Sequence, residues 1–447
     1  MKKQSLSRSQ RLVTALMLFG LFFGAGNIIF PIFLGQAAAN QTLIASLGFN
    51  LTAVGLPLLA IAAMGISGSD SVMTLASRVS KPFGYFFTIA LYLTIGPFFA
   101  IPRLATVSYE VGLTSFVPAN QQGLGLFSYS LIFFALALFL ALRPSRIIEW
   151  VGKYLTPIFL ALLLVIVIRA WLDPAGLDTS QMATGNFAGQ ALTTGLLEGY
   201  NTMDSLAGLA FGIIVIKAIQ DFGVKEGRLV AVEVVKSGFL AILLMSIIYL
   251  ALALLGWQSR NYLPLAENGG IALSQITQHY FGQAGQVLLA LLMFVACLKT
   301  AIGLIVALSE TFAGMFPNLI SQRAWAIIAS LVGFGVANIG LTAIIQLSLP
   351  VLMLLYPLAI VLIVVALLPY RWQGPRVYQA ATAFTLVPAL VDFIRTAPAV
   401  LSESGLGTAV QAWATSYLPL YGVGFGWILP ALIGILVGLW LNNRQRA

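Results

Sequence analysis

The sequence predicts an all-α integral membrane protein of about twelve transmembrane helices, a five-plus-five inverted repeat with two helices added, in which helices 1 and 6 are broken. Three observations predict this. Of 447 residues 60% are hydrophobic and only 8% charged, far below the roughly 25% charged residues of soluble domains. Windows long enough to cross the hydrocarbon layer recur along the whole chain. Two of these windows, five apart, are interrupted in their middle by glycine and polar residues, the pattern of an inverted-repeat carrier with a midplane site.

The windows, each about 20 residues or longer, fall near 11–38, 42–67, 83–113, 124–142, 145–171, 189–220, 229–257, 283–315, 322–340, 341–368, 376–395 and 418–441. Between the ninth and tenth only Asn338-Ile339-Gly340 offers a turn; without it the count drops to eleven. The first interruption is Phe23-Gly24-Ala25-Gly26-Asn27-Ile28-Ile29-Phe30-Pro31, where each glycine weakens a helix by about 1 kcal/mol against alanine. Unwound backbone at membrane depth must be buried in protein or line a wet cavity, so this segment is a candidate solute site. The second interruption is Glu198-Gly199-Tyr200-Asn201-Thr202-Met203-Asp204. It comes five helices after the first, and because five is odd the second set enters the membrane upside down. The expected organisation is one transmembrane transporter domain over 1–447, with a first repeat at 11–171, an inverted second at 189–368 and two additional helices at 376–441.

Charge sets the expected orientation. The net charge is +9, and an N-terminus in the cytoplasm puts most of the Lys and Arg, among them Arg8, Arg11, Arg78, Lys81, Arg143, Lys225, Arg228, Arg323, Arg371 and Arg376, on or near the inner side. Both termini are then cytoplasmic, the basic excess follows from topology, and no nucleic-acid partner is needed. The apolar run after Lys2 and Lys3 is longer than a signal peptide's apolar core of 7 to 15 residues, so cleavage near Ala37-Ala38-Ala39 is not expected. The longest polar connections, about 173–188 and 258–282, are expected outside, the second as a cover for the outer vestibule. One cysteine, Cys297, and one histidine, His279, leave no disulfide framework and no His/Cys metal site to build. The same shortage, with no H-E-x-x-H or G-x-S-x-G motif, argues against an enzyme; a channel stays open as an alternative, since broken helices also line pores.

At the two breaks the chain resembles a known family. G-A-G-N-I-I-F-P in span 1, G-P-F-F-A-I-P-R-L-A-T-V-S-Y-E in span 3, E-G-Y-N-T-M-D-S-L-A-G-L-A-F-G in span 6 and A-C-L-K-T-A-I-G-L in span 8 resemble the bacterial branched-chain amino acid carriers of system II. The resemblance covers essentially the whole chain. It implies the leucine-transporter-type fold, a multi-pass place in the bacterial inner membrane, and uptake of leucine, isoleucine and valine by symport with a cation, proton or sodium. A carrier of the same fold for another amino acid or a nucleobase is the alternative. No cofactor is expected beyond that coupling ion, the partners are a small amino acid and the lipid bilayer, and no oligomer is required.

The residues supply a physical case for such a substrate. Amides of Ala25, Gly26 and Asn27 open a half-helix whose positive dipole end suits a carboxylate. The first half of span 6 ends near Gly199 with carbonyls suited to an ammonium, and Gly24, Tyr200 and Asn201 complete the two breaks. Phe22, Phe23, Phe98, Phe99 and Tyr200 are candidates for the dry pocket, against the plainer reading of ordinary packing. Charged residues inside spans are functional candidates because they cost about 2.5 to 3.5 kcal/mol near the bilayer centre. Arg103 and Glu110 lie two turns apart on one face, lining the outer pathway or reaching the interface. Glu198 and Asp204 flank the second break, where a carboxylate holds an ammonium, accepts a proton or caps the following helix. Glu310 and Asp392 fall near span ends and are expected to be solvated.

Lys299 stands about 16 residues, roughly 24 Å, from either end of span 8, too deep to reach water along the axis. The resemblance implies a sodium site between carbonyls of span 1, near Gly20 and Phe23, and span 8, where Ala296, Lys299 and Thr300 fall on the expected spacing. The family pattern carries a threonine where Lys299 stands. An ammonium there can replace the ion, and its protonation state can do the coupling, because burial penalises the charged form of an amine. A permanently charged structural lysine is the competing reading. A second ion is expected near Asn27, whose side-chain oxygen suits sodium.

Overall fold

A computed structural model describes residues 5–24, 26–143, 156–172 and 176–444, all-helical among those residues. Seven helical stretches among them are long and apolar enough to cross a membrane. Span 1 begins at Arg8 behind Ser7, whose side chain and that of Gln10 form a capping box. Its first half, Arg8–Phe22, ends as Phe23 turns extended (φ −72°, ψ 97°). Helix resumes at Gly26–Ala38. The part of span 5 expected at 145–155 lies outside the described residues, which carry it as Thr156–Leu172.

Span 6 breaks as the sequence requires. Phe187–Glu198 runs into a tight turn over Gly199–Thr202, Met203 takes the left-handed conformation (φ 60°), and Asp204–Asp221 follows. Met203 sits there without glycine's freedom, so the turn is held by its surroundings. The turn at Asn338–Gly340 is present too, with Gly340 at φ 91° separating Gln322–Ala337 from Leu341–Leu367.

Three irregularities differ from the expected windows. Span 3 is not one helix: Lys81–Leu93 and Ala100–Gly112 meet at Gly96 (ψ −128°) and Pro97, because proline has no N–H for the ladder and glycine tolerates the swing. The connection at 258–282 contains helix, since Gly269–Met315 is continuous except at Gly282 (φ 58°). Asn268 caps its start, accepting from the amides of Gly270 and Ile271. After span 11 (Pro375–Thr396) the chain forms Gly405–Tyr417 before span 12, Ile428–Arg444, ten residues later than expected at its start.

Small residues decide how the broken helices dock. In hydrocarbon no hydrophobic force drives helices together, so close backbone contact through glycine does much of the work. The second half of span 1 lies against span 7 (Gly227–Ser259), where a Cβ on Gly35 would stand 1.8 Å from the Ala253 carbonyl and one on Gly256 2.0 Å from that of Ile32. The first half of span 6 lies likewise against span 2, with Gly195 facing Ala45 and Gly48 facing Leu192 at 2.1 and 2.2 Å. Span 2 comprises Thr42–Asn50, Leu51–Gly55 and Leu56–Ser67. Thr52 ties it to the second break, donating to the Leu196 carbonyl at 2.7 Å. Spans 1, 2, 6 and 7 are thus joined in pairs, each broken helix to a continuous one.

Because the atoms facing Gly35 are backbone, they cannot swing aside. Gly35→Val is expected to cost about 2 to 3 kcal/mol, read as a lower apparent melting temperature of detergent-purified protein. Gly303→Ala, where nothing stands within 4 Å of the added carbon, should leave it unchanged.

Candidate functional site

The first break opens a helix and closes both loose ends. In an unbroken helix the Gly24 amide would donate to the Gly20 carbonyl four residues back. Here it donates instead to Asn27 Oδ1 at 2.8 Å, and the Gly20 carbonyl accepts from Lys299 Nζ at 3.3 Å. Two side chains, one from the following half-helix and one from span 8, therefore replace the bond that the break removes.

Asn27 also joins the two breaks. Its Nδ2 donates to Asp204 Oδ2 and to the Tyr249 hydroxyl of span 7, and the Gly24 contact fixes which end of the amide is oxygen. Asp204 is 5% exposed. It occupies the first turn of its half-helix, behind Met203 at the N-cap position, and its amide donates to the Thr202 hydroxyl at 3.3 Å. The capping reading of Asp204 therefore gives way to a bridge between interrupted helices, while its charge still suits the positive end of that helix.

A cavity lies between the breaks. Gly24, Gly26, Asn27, Thr202, Met203 and Asp204 line it, with Arg103 from span 3 and Thr300 from span 8. Its apolar wall is Phe22, Ile95, Leu104, Val107, Phe211 and Leu304. Of the aromatic candidates only Phe22 is on this wall. Phe23 is buried against Phe19 and Tyr249, Tyr200 stacks on Tyr356 at 4.1 Å, and Phe98, 42% exposed, faces outward beside Phe99. Ala25 lies outside the described residues.

The carbonyls of the second break are not free as expected. Gly199 accepts from the Thr202 hydroxyl at 2.9 Å, Tyr200 from the Met203 amide at 3.0 Å, and Asn201 from Arg103 Nη2 at 2.8 Å. An arriving ammonium must therefore find Asp204 or share an acceptor. Asn201 also donates to Glu198 at 3.0 Å, which keeps Glu198 within the turn.

Arg103, 6% exposed, sits at 5.3 Å over the Phe30 ring. Glu110, two turns on, accepts from Asn268 Nδ2 at 2.9 Å, so it holds the helix after Asn268 instead of facing the pathway. Asp392 was expected in solvent; its side chain is 1% exposed and lies 3.2 Å from Arg395, which in turn donates to the Tyr421 carbonyl. Glu310 is exposed as expected.

The donor set at the span 8 position does not fit sodium. A lysine ammonium, 2% exposed, stands against the Gly20 carbonyl that a cation would need, next to a Thr300 hydroxyl that donates to the Ala296 carbonyl at 3.1 Å. The Asn27 oxygen, expected to suit a second ion, accepts from the Gly24 amide at 2.8 Å, which takes one of its two lone pairs. No cluster of His, Cys, Asp and Glu that could hold a metal occurs among the described residues.

A family model described as "Branched-chain amino acid transport protein" matches residues 7–445. The chain belongs to that family. Among its relatives, the branched-chain amino acid permease BrnQ of Lactobacillus delbrueckii subsp. lactis is 52% identical over 449 residues, covering 100% of both chains. The BrnQ permease of Bacillus subtilis is 41% identical over 440 residues, 98% of each, and that of Escherichia coli K12 is 36% identical over 424, 95% of this chain and 93% of the relative. This family member is thus a multi-pass bacterial membrane transporter of branched-chain amino acids, not an enzyme. Solved structures show its fold. Mhp1, a nucleobase-cation-symport-1 family transporter, superposes with a TM-score of 0.61 at 14% identity, covering 97% of this chain and 92% of its own. MhsT in complex with L-phenylalanine gives 0.55 at 16% identity, covering 99% and 100%. An Eremococcus coleocola manganese transporter gives 0.63 at 12%, covering 97% and 94%.

Tyr249, Phe211 and Leu304 are not among the expected site residues, although Phe211 and Leu304 stand within the quoted motifs of spans 6 and 8, and Thr202 stands in the second interruption with no role assigned. Tyr249 of span 7 and Leu304 of span 8 reach the site through the packing of their spans against the broken helices, which the sequence around them does not signal.

Proposed function

We propose that this transporter imports leucine, isoleucine and valine by symport with a cation through alternating access, and that the Lys299 ammonium serves where related folds bind sodium. The observation that carries the reading is the junction at Asn27, where both helix breaks and span 7 meet beside one cavity with a polar end and an apolar wall. A zwitterion with a branched side chain matches that division. Spans 1, 2, 6 and 7, joined through their glycine contacts, would rock as one body against the rest, and both termini would face the cytoplasm. The two sets of five would form the inverted repeat, with spans 11 and 12 as additions.

Coupling follows from shared backbone. Substrate and the Lys299 ammonium both stabilise the open form of the segment between Gly20 and Asn27, so each favours the other reciprocally. Sodium is then not needed at that position, and protons are the cation that a titrating amine would move.

Uptake of radiolabelled leucine into proteoliposomes under separately imposed sodium and proton gradients tests this. The expected result is accumulation with an inward proton gradient, competed by valine and isoleucine but not by alanine. Accumulation driven by sodium with no response to a proton gradient would refute the coupling; uptake competed equally by alanine would refute the substrate preference.

A further inference from the structure

We propose that Arg103 and Asp204 read the two charges of the amino acid, Arg103 taking the carboxylate and Asp204 the ammonium. This rests on the reading that the cavity between the breaks is the substrate site, and it replaces a purely main-chain grip with a side-chain one.

Both residues line that cavity and both are more than nine-tenths buried. Of the two terminal nitrogens of Arg103, Nη2 is held by the Asn201 carbonyl at 2.8 Å, whereas Nη1 is buried with no hydrogen-bond partner among the described residues. A buried guanidinium nitrogen without an acceptor is costly, and a substrate carboxylate supplies the missing one through a charge-assisted bond. The Asn201 contact, with Phe30 beneath the plane, fixes the fork.

Asp204 is the complementary half. Its Oδ2 accepts from Asn27, and a carboxylate has about four lone-pair positions, so it keeps capacity for a further donor. The main-chain acceptors nearby are already engaged by Thr202, Met203 and Arg103, which leaves Asp204 as the strongest acceptor on the cavity wall. One fixed cation and one fixed anion make the cavity neutral when empty, and a bound zwitterion keeps it neutral. A ligand carrying only one of the two charges leaves one wall group unmatched in a low-dielectric site.

That asymmetry separates a reading role from a structural one. Leucinamide keeps the ammonium but not the carboxylate charge, and 4-methylpentanoate keeps the carboxylate but no amine. Their competition against radiolabelled leucine is read by equilibrium binding to detergent-purified full-length protein, so that a variant arrested in turnover still reports. Wild type should reject both analogues by at least about 30-fold relative to leucine. Arg103→Gln should weaken leucine at least about tenfold and bring leucinamide to within about threefold of it, with 4-methylpentanoate still rejected. Asp204→Asn should do the reverse, bringing 4-methylpentanoate close to leucine with leucinamide still rejected. If Arg103→Gln does not fold, Arg103→Lys, which keeps the charge, must retain the rejection of leucinamide, and Asp204→Asn must still act on 4-methylpentanoate alone. Variants that shift both ratios alike, or neither, overturn the assignment. Wild type that fails to bind leucine at all would instead refute the substrate reading on which it rests.

Discussion

Asn27→Ala is expected to weaken leucine binding at least about 25-fold, the largest effect on affinity for a single side chain outside the charged pair. Alanine removes the acceptor for the Gly24 amide and the donor to Asp204 and Tyr249. Unsatisfied buried groups cost about 1 to 3 kcal/mol each, so two of them bring the loss to about 2 kcal/mol at the lower end, and each 1.4 kcal/mol is tenfold in affinity. The effect falls on the site itself, because the Gly24 amide then has an alternative in the Gly20 carbonyl and the break can close. Equilibrium binding of radiolabelled leucine to purified protein measures it. A dissociation constant within threefold of wild type would show that the two breaks do not depend on this junction.

The second large effect is a change in the driving ion. With Lys299 in place, the last-turn carbonyl of Gly20 is served by an ammonium, and the negative end of the half-helix Arg8–Phe22 is neutralised by it. Lys299→Thr removes that charge and adds a hydroxyl three residues after Ala296 and next to Thr300, the spacing expected of a sodium ligand. The vacated carbonyl then needs a cation. Leucine uptake by Lys299→Thr should be stimulated at least about tenfold by sodium over choline, and wild type should show no stimulation. Equal uptake of both proteins in sodium and in choline would mean that this position has no part in coupling.

Much of this fold is legible in the sequence, and the reason is specific to membranes. Hydrocarbon forbids unsatisfied backbone, so Gly24, Gly26 and the Gly199–Thr202 turn stand out against long apolar windows, and their positions within spans 1 and 6 carry directly into the structure. Gly96-Pro97 gave a similar signal inside span 3, yet window length alone merges the two halves. The site is less legible. Which face of a uniformly apolar helix meets its neighbour is set by close contacts such as Gly35 on Ala253, and one sequence does not contain that register. Phe98 and Tyr200 were therefore candidates for the pocket, whereas Phe211 and Leu304 occupy the wall. Asp392 shows the same limit: its distance from the span centre suggested solvent, but Arg395 one turn on and the returning chain at Tyr421 enclose it.

The position of leucine in an experimentally determined complex tests the central claim most directly. Its charged end should lie between the Gly26–Asn27 segment and Thr202–Asp204, with the branched side chain toward Val107, Phe211 and Leu304. Leucine bound elsewhere, or a helix continuous through residues 22–26 in that complex, would contradict it.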